Sequence, residues 1–153
     1  MPGLQLPNPP PSSPAVRSVM RANRARDTAP ERRLRKALRE AGLGGYRLNW
    51  KKAPGRPDIA YPGRKVAIFV HGCFWHHCPS CYPNLPKSNT AFWARKFELN
   101  HERDARKRRN LEVDRWTVCE VWECDVATRE RRQASVGRIT DALRNASECL
   151  ERL

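Results

Sequence analysis

Residues 65–81, "KVAIFVHGCFWHHCPSC", set the tightest limit on how this chain folds. Lys65 to Val70 is a nearly continuous apolar run, suited to a buried central strand. It passes straight into a loop that holds His71, His76 and His77, three of the chain's four histidines, together with Cys73, Cys78 and Cys81. A strand from the middle of a sheet therefore delivers its end to a cluster of imidazoles and thiols. A packed core needs none of those histidines. A simple zinc knuckle needs neither the Phe74–Trp75 pair nor so many imidazoles. Two sites sharing one loop, one structural and one chemical, account for all of them.

The thiols supply the structural site. Cys73, Cys78 and Cys81 follow a Cys-x4-Cys-x2-Cys spacing. Cys124 completes the set if the strand "WTVCEVW" (116–122) lies beside "KVAIFV". Four thiolates around a tetrahedral Zn²⁺ leave no open position, so such a site is structural. His77 competes with Cys78 for the second position. Cys119 and Cys149 fall in strand and helix patterns and read as small core residues.

The elements around the loop follow from pattern. Thr28 and Glu31 have capping-box spacing, and Pro30 suits the first turn of a helix. Leu34, Ala37, Leu38 and Ala41 form its apolar stripe, and Gly42 ends it. "YRLNW" (46–50), "PDIAY" (57–61) and "KVAIFV" (65–70) read as a three-stranded antiparallel meander. A helix is expected from Thr90 to about Arg109, then the fourth strand, then an amphipathic helix over 128–153 through Val136, Ile139, Leu143, Ala146, Leu150 and Leu153. The order α, β, β, β, α, β, α gives a mixed sheet packed against helices. Residues 1–16, proline-rich and uncharged, read as a disordered lead-in without signal-peptide features. The compartment is then cytoplasmic and reducing, where clustered cysteines mean metal rather than disulfides.

Charge identifies the partner. Thirty Lys and Arg against sixteen Asp and Glu leave a formal +14. Self-repulsion of that size weakens a small folded domain unless a polyanion uses it. The arginine-rich segment 17–26 reads as a basic helix or arm. Nucleic acid fits best, and no apolar segment is long enough to span a bilayer.

The chemical site starts at Asp58, in "GRPDIAY", where a strand begins after a turn. In nucleases built on an αβββαβ core, an Asp here binds a divalent metal at the scissile phosphate. The third strand of that architecture carries an acid-x-Lys pair. This chain has Phe69, Val70 and His71 there instead. His71 and His76 are the remaining candidates for the base, because an imidazole can take and return a proton near neutral pH. Lys96, Asn100 and Asp104 share one helix face, and Asp104 can orient a histidine. Phe74 and Trp75, in a polar loop with little to pack on, read as exposed aromatics that stack on bases or wedge into a duplex; Trp93 joins them or lies in the core.

The segments "RANRARDTAPERRLRKAL", "KKAPGRPDIAYP", "AIFVHGCFWHHCPSC", "PKSN", "FWARKFELNHERD" and "VWEC" follow, in order, the pattern of the very-short-patch repair (Vsr) DNA mismatch endonucleases. The chain resembles that family over roughly residues 17–125. The resemblance implies an α/β, restriction-endonuclease-like fold of PD-(D/E)XK type: a mixed central sheet flanked by helices, with a structural zinc site. It implies one domain over 17–153, with 127–153 outside the match. The implied activity is a Mg²⁺-dependent nick in one strand of duplex DNA beside a T:G mismatch left by deaminated 5-methylcytosine. A cytosine-5 DNA methyltransferase is the functional partner, and the implied state is a monomer. By position, Asp58 resembles the Mg²⁺ ligand, helped by the Val70 carbonyl. His76 resembles the general base or acid, with His71 a second catalytic imidazole and Asp104 and Glu31 supporting acids. Phe74, Trp75 and Trp93 resemble the wedge, and Cys73, Cys78, Cys81 and Cys124 the zinc set. Two other classes fit parts of the pattern: a restriction- or junction-type nuclease without mismatch specificity, and a zinc-stabilised DNA-binding module.

Overall fold

The computed structural model describes residues 26–151, together with 10, 14, 17 and 18. The expected lead-in 1–16 and basic arm 17–26 lie almost wholly outside these, as do the side chains of Leu150 and Leu153. The element order is α1 (Ala29–Glu40), β1 (Arg47–Leu48), β2 (Ile59–Tyr61), β3 (Val66–His71), α2 (Thr90–Val113), β4 (Thr117–Trp122) and α3 (Arg129–Glu151). Short 3-10 turns follow β2 and β4.

The strands lie in the order β1-β2-β3-β4. β1–β2 and β2–β3 are antiparallel, while β3–β4 is parallel. β1 has only two residues, shorter than the expected 46–50. Asn49 there takes a left-handed φ of 46°, which bends the chain out of the strand.

Both faces of the sheet are covered, which is why β3 reads as an unbroken apolar run. On one face Val66 and Ile68 pack with Leu34 and Leu38 of α1 and with Ile139 and Leu143 of α3. On the other, Ala67 and Phe69 pack with Leu111 of α2 and with Trp116. α1 starts as expected: Thr28 caps it and accepts from the Glu31 N–H. It ends on Gly42 at φ +74°, with Leu43 N–H bonded to Leu38 O and Gly42 N–H to Arg39 O, the paired bonds of a Schellman motif. Cys119 is half-buried against the first core, whereas Cys149 is exposed, contrary to its expected core position. Among the described residues no helix is long and apolar enough to cross a membrane.

Candidate active site

Alternation along the strands sends one set of side chains to the α2 face of the sheet. From β2 it is Ala60, and Asp58 two residues before it. From β3 it is Ala67, Phe69 and then His71. From β4 it is Val118, Glu120 and Trp122. The β2–β3 register pairs Ile59 with Ile68, and the β3–β4 register pairs His71 with Trp122. The apolar half of this face is core. Its other half carries the chemistry.

Asp58 accepts a hydrogen bond from the Val70 N–H at 2.8 Å. Burial pushes its carboxyl up to about 6, and nearby Glu31 pushes the same way. The Val70 N–H, His71 and Lys107 oppose the rise. Glu31 itself is 4% exposed and bound within the α1 entrance, to the Asp27 N–H at 3.0 Å and the Thr28 hydroxyl at 2.9 Å.

The imidazoles of His71 and His76 lie 4.4 Å apart between ring centres. His76 Nδ1 is 2.6 Å from Asp104 Oδ2. Burial alone would raise the Asp104 carboxyl; the hydrogen bond and charge of His76 hold it below its ordinary value. With the Nδ1 proton directed at Asp104, Nε2 is left as the base. Ligand-type atoms of His71, His76 and Asp104 all fall within 4.8 Å of one another.

Helix α2 fixes the loop at three points. Asn100 donates from Nδ2 to the Trp75 carbonyl at 2.7 Å, His101 Nε2 meets the His76 carbonyl at 2.8 Å, and Asp104 holds the His76 ring. Asn100 and Asp104 of the expected polar face thus clamp the loop together with His101, and Asn100 is buried.

Parallel pairing also assembles the thiols. Cys73 and Cys124 each follow the paired His71 and Trp122 by two residues. Cys124 N–H donates to Cys73 Sγ at 3.3 Å, and Cys73 N–H to Glu123 Oε2 at 3.1 Å. The sulfurs of Cys73, Cys78, Cys81 and Cys124 lie within 4.8 Å of one another. Four thiols converging in this way match the donor set of a closed tetrahedral Zn²⁺ site. Burial pushes Cys73 and Cys124 up, a cost that a bound cation reverses. His77 is not in this group. Its ring stacks on Phe97 at 4.6 Å.

The aromatics differ from expectation. Phe74 packs edge-on against Trp93 at 5.0 Å, Trp75 at 5.3 Å, Tyr82 at 5.6 Å and Phe97 at 5.9 Å. Trp93 is 7% exposed, so it sits in the core of this cluster. α2 presents Trp93 and Phe97 one turn apart beside the loop, giving Phe74 and Trp75 the packing partners that sequence alone did not supply. Both remain half-buried.

Three residues near the site had no assigned part in the sequence reading. Lys107 extends from α2 with Nζ 5.7 Å from the Phe69 ring. Glu120 Oε1 lies 3.6 Å from His71 Nε2. Arg108 pairs with the other Glu120 oxygen at 2.7 Å. The one signal available for Glu120 was an acid at an inward position of an otherwise apolar strand.

A family model described as DNA mismatch endonuclease Vsr matches residues 12–82. The DNA mismatch endonuclease Vsr of Escherichia coli is 42% identical over 112 residues, covering 73% of this chain and 71% of that protein. The type II nicking enzyme V.XorIIP of Xanthomonas oryzae pv. oryzae is 38% identical over 125 residues, covering 82% and 91%. The type II nicking enzyme V.NmeAIP of Neisseria meningitidis is 39% identical over 129 residues, again covering 82% and 91%. With these matches in sequence and this arrangement of strands, the chain belongs to the Vsr family of DNA mismatch endonucleases.

Proposed function

We propose that this protein nicks one strand of duplex DNA beside a T:G mismatch, in a Mg²⁺-dependent hydrolysis, on a restriction-endonuclease-like sheet. The observation that carries the reading is one face of a strongly basic protein that holds a half-buried carboxylate, Asp58, within electrostatic reach of His71, together with the acid-paired imidazole His76 beside His71.

In this reading Asp58 and the Val70 carbonyl hold the Mg²⁺. When bound, that ion polarises the phosphate and stabilises the leaving oxygen. His76 Nε2 removes a proton from the attacking water, and Asp104 stabilises the imidazolium that results. His71 assists as the second imidazole. Glu31 stands close to Asp58 as a second, supporting acid. Cys73, Cys78, Cys81 and Cys124 bind a structural Zn²⁺ that keeps His76 between the sheet and α2.

Phe74 and Trp75 wedge beside the mismatch, with Trp93 beneath Phe74. A mismatched pair is easier to unstack than a matched one, so a wedge converts weak pairing into selectivity. T:G pairs arise when 5-methylcytosine deaminates, which ties this activity to a cytosine-5 DNA methyltransferase in the same cytoplasm. The protein acts as a monomer, with residues 17–153 forming one domain and 1–16 a lead-in.

Duplexes carrying T:G, T:A or C:G at one position in an otherwise identical sequence test the specificity. The expected result is a nick in the T:G duplex alone. Equal cutting of all three favours the second reading, a restriction- or junction-type nuclease of the same fold without mismatch specificity; the Xanthomonas and Neisseria relatives are named as nicking enzymes.

A further inference from the structure

The α2 face of the sheet carries two imidazoles, and each has its own carboxylate. Asp104 serves His76 from the helix. Glu120 reaches His71 from β4. Its backbone position is set by the parallel β3–β4 register, which pairs Glu120 with Phe69. Phe69 precedes His71 by two residues, so Glu120 and His71 are diagonal neighbours on the same face.

The contacts are specific. Glu120 Oε1 is 3.6 Å from His71 Nε2, where the His71 side chain is 7% exposed and that of Glu120 30%. The second Glu120 oxygen is 2.7 Å from an Arg108 guanidinium nitrogen. Arg108 Nε is buried with no hydrogen-bond partner among the described residues. A carboxylate placed inside "WTVCEVW" loses hydration, and its charged partners offset that loss. The nearby His71 imidazole, then the charge of Arg108, hold the Glu120 carboxyl below its ordinary value despite partial burial. The 3.6 Å separation exceeds a formed hydrogen bond. Catalytic contacts are often that long before substrate binds.

We propose that Glu120 is a positioning residue for His71, held in its rotamer by Arg108. Glu120 takes the Nε2–H of His71 and thereby fixes the ring's orientation and tautomer. Nδ1 of His71 is then the nitrogen left to accept a proton or a hydrogen bond during the reaction. The active site is thus built from two carboxylate–imidazole pairs, one from helix to loop and one from strand to strand. This rests on the reading of His71 as a second catalytic imidazole.

A double-mutant cycle on the full chain tests it. Wild type, Glu120→Gln, His71→Ala and the double variant are compared on a T:G duplex with Mg²⁺, reading the single-turnover nicking rate and the DNA Kd separately. Glu120→Gln keeps the side chain's shape, but it has one acceptor oxygen where Glu120 turns a separate oxygen to each of His71 and Arg108, so an NH₂ donor faces one of the two. Its nicking rate is expected to fall about tenfold or more, a part of what general acid–base catalysis contributes. Its Kd is expected to be unchanged or lower, because Arg108 is freed for phosphate. In the His71→Ala background the same substitution should change the rate by less than about twofold, as residues that act as a unit do. A merely structural role would lower both backgrounds alike, and that result overturns the proposal. So does a normal rate in Glu120→Gln beside an impaired His71→Ala. Normal nicking by His71→Ala would instead overturn the reading of His71, and this proposal with it. Thermal unfolding and zinc content of each variant, matched to wild type, establish that the rates report on folded protein; if Glu120→Gln fails to fold, Arg108→Gln takes its place in the cycle with the same expected non-additivity.

Discussion

His76 Nδ1 and Asp104 Oδ2 lie 2.6 Å apart, although 28 positions separate them in the chain. One residue comes from a loop clustered with thiols and the other from the fourth turn of a long helix. That contact places a proton on a defined nitrogen of His76 and leaves the other free as a base. Asp104→Asn preserves the shape and reverses the preferred tautomer. Nicking is expected to fall by about 10²–10⁴-fold, with DNA affinity unchanged. Single-turnover rates and Kd on the same duplex check this; an unimpaired rate would remove Asp104 from the mechanism.

Asp58 is expected to trade stability for function. Burial, its largest influence, raises the carboxyl to about 6. A carboxyl raised on folding stabilises fully below its unfolded pKa, near 3.9, and that contribution is lost as pH rises through about 6. Asp58→Asn escapes the loss and can still accept from the Val70 N–H. Without Mg²⁺ the variant is expected to exceed wild type by about 1–2 kcal/mol near pH 8, after discounting for solvent screening, and to match it near pH 4. Denaturant unfolding at the two pH values measures this. The variant should bind DNA and fail to nick it.

The thiol cluster makes a compositional prediction. Cys78→Ser is expected to lose the bound Zn²⁺ and several kcal/mol of stability, since closed zinc sites supply on the order of 10 kcal/mol to folding. His77→Ala should keep its zinc and lose only the stacking on Phe97. Metal analysis of the purified variants, with their thermal midpoints, separates the two. Zinc loss in His77→Ala with retention in Cys78→Ser would reverse the ligand assignment.

Trp75 is half-buried at the edge of the aromatic cluster, whereas Trp93 lies inside it. Trp75→Ala is expected to weaken binding to the mismatched duplex by about 1–3 kcal/mol, the worth of one stacked base, and to leave binding to matched DNA nearly unchanged. Trp93→Ala should instead lower the thermal midpoint. Paired Kd and melting measurements distinguish a contact with DNA from a support beneath it.

Much of this site was legible because its residues are unlike their surroundings. Asp58 follows a turn, and His71 ends an apolar run. Both facts are local, and the β2–β3 hairpin brings the two residues to one face. Cys124 was placed by a topological step: if the last strand lies beside the third, the thiols meet. Other features depend on pairings that spacing does not encode. The burial of Trp93 and the packing of Phe74 follow from where α2 lies against the loop. Glu120 gains its meaning from the parallel register with Phe69, 51 positions earlier in the chain. Cys149 carried a core-like periodicity, yet α3 turns it outward near its end. The two-residue β1 reflects Asn49, whose left-handed backbone no hydrophobic pattern could register.

The most direct measurement is a strand-resolved nicking assay on a T:G heteroduplex, labelled on each strand in turn, with and without Mg²⁺. The expected result is a single break beside the mismatch, in one strand only, that appears with Mg²⁺ and disappears on its removal. Tight binding with no Mg²⁺-dependent break in either strand would contradict the catalytic reading of Asp58, His71 and His76.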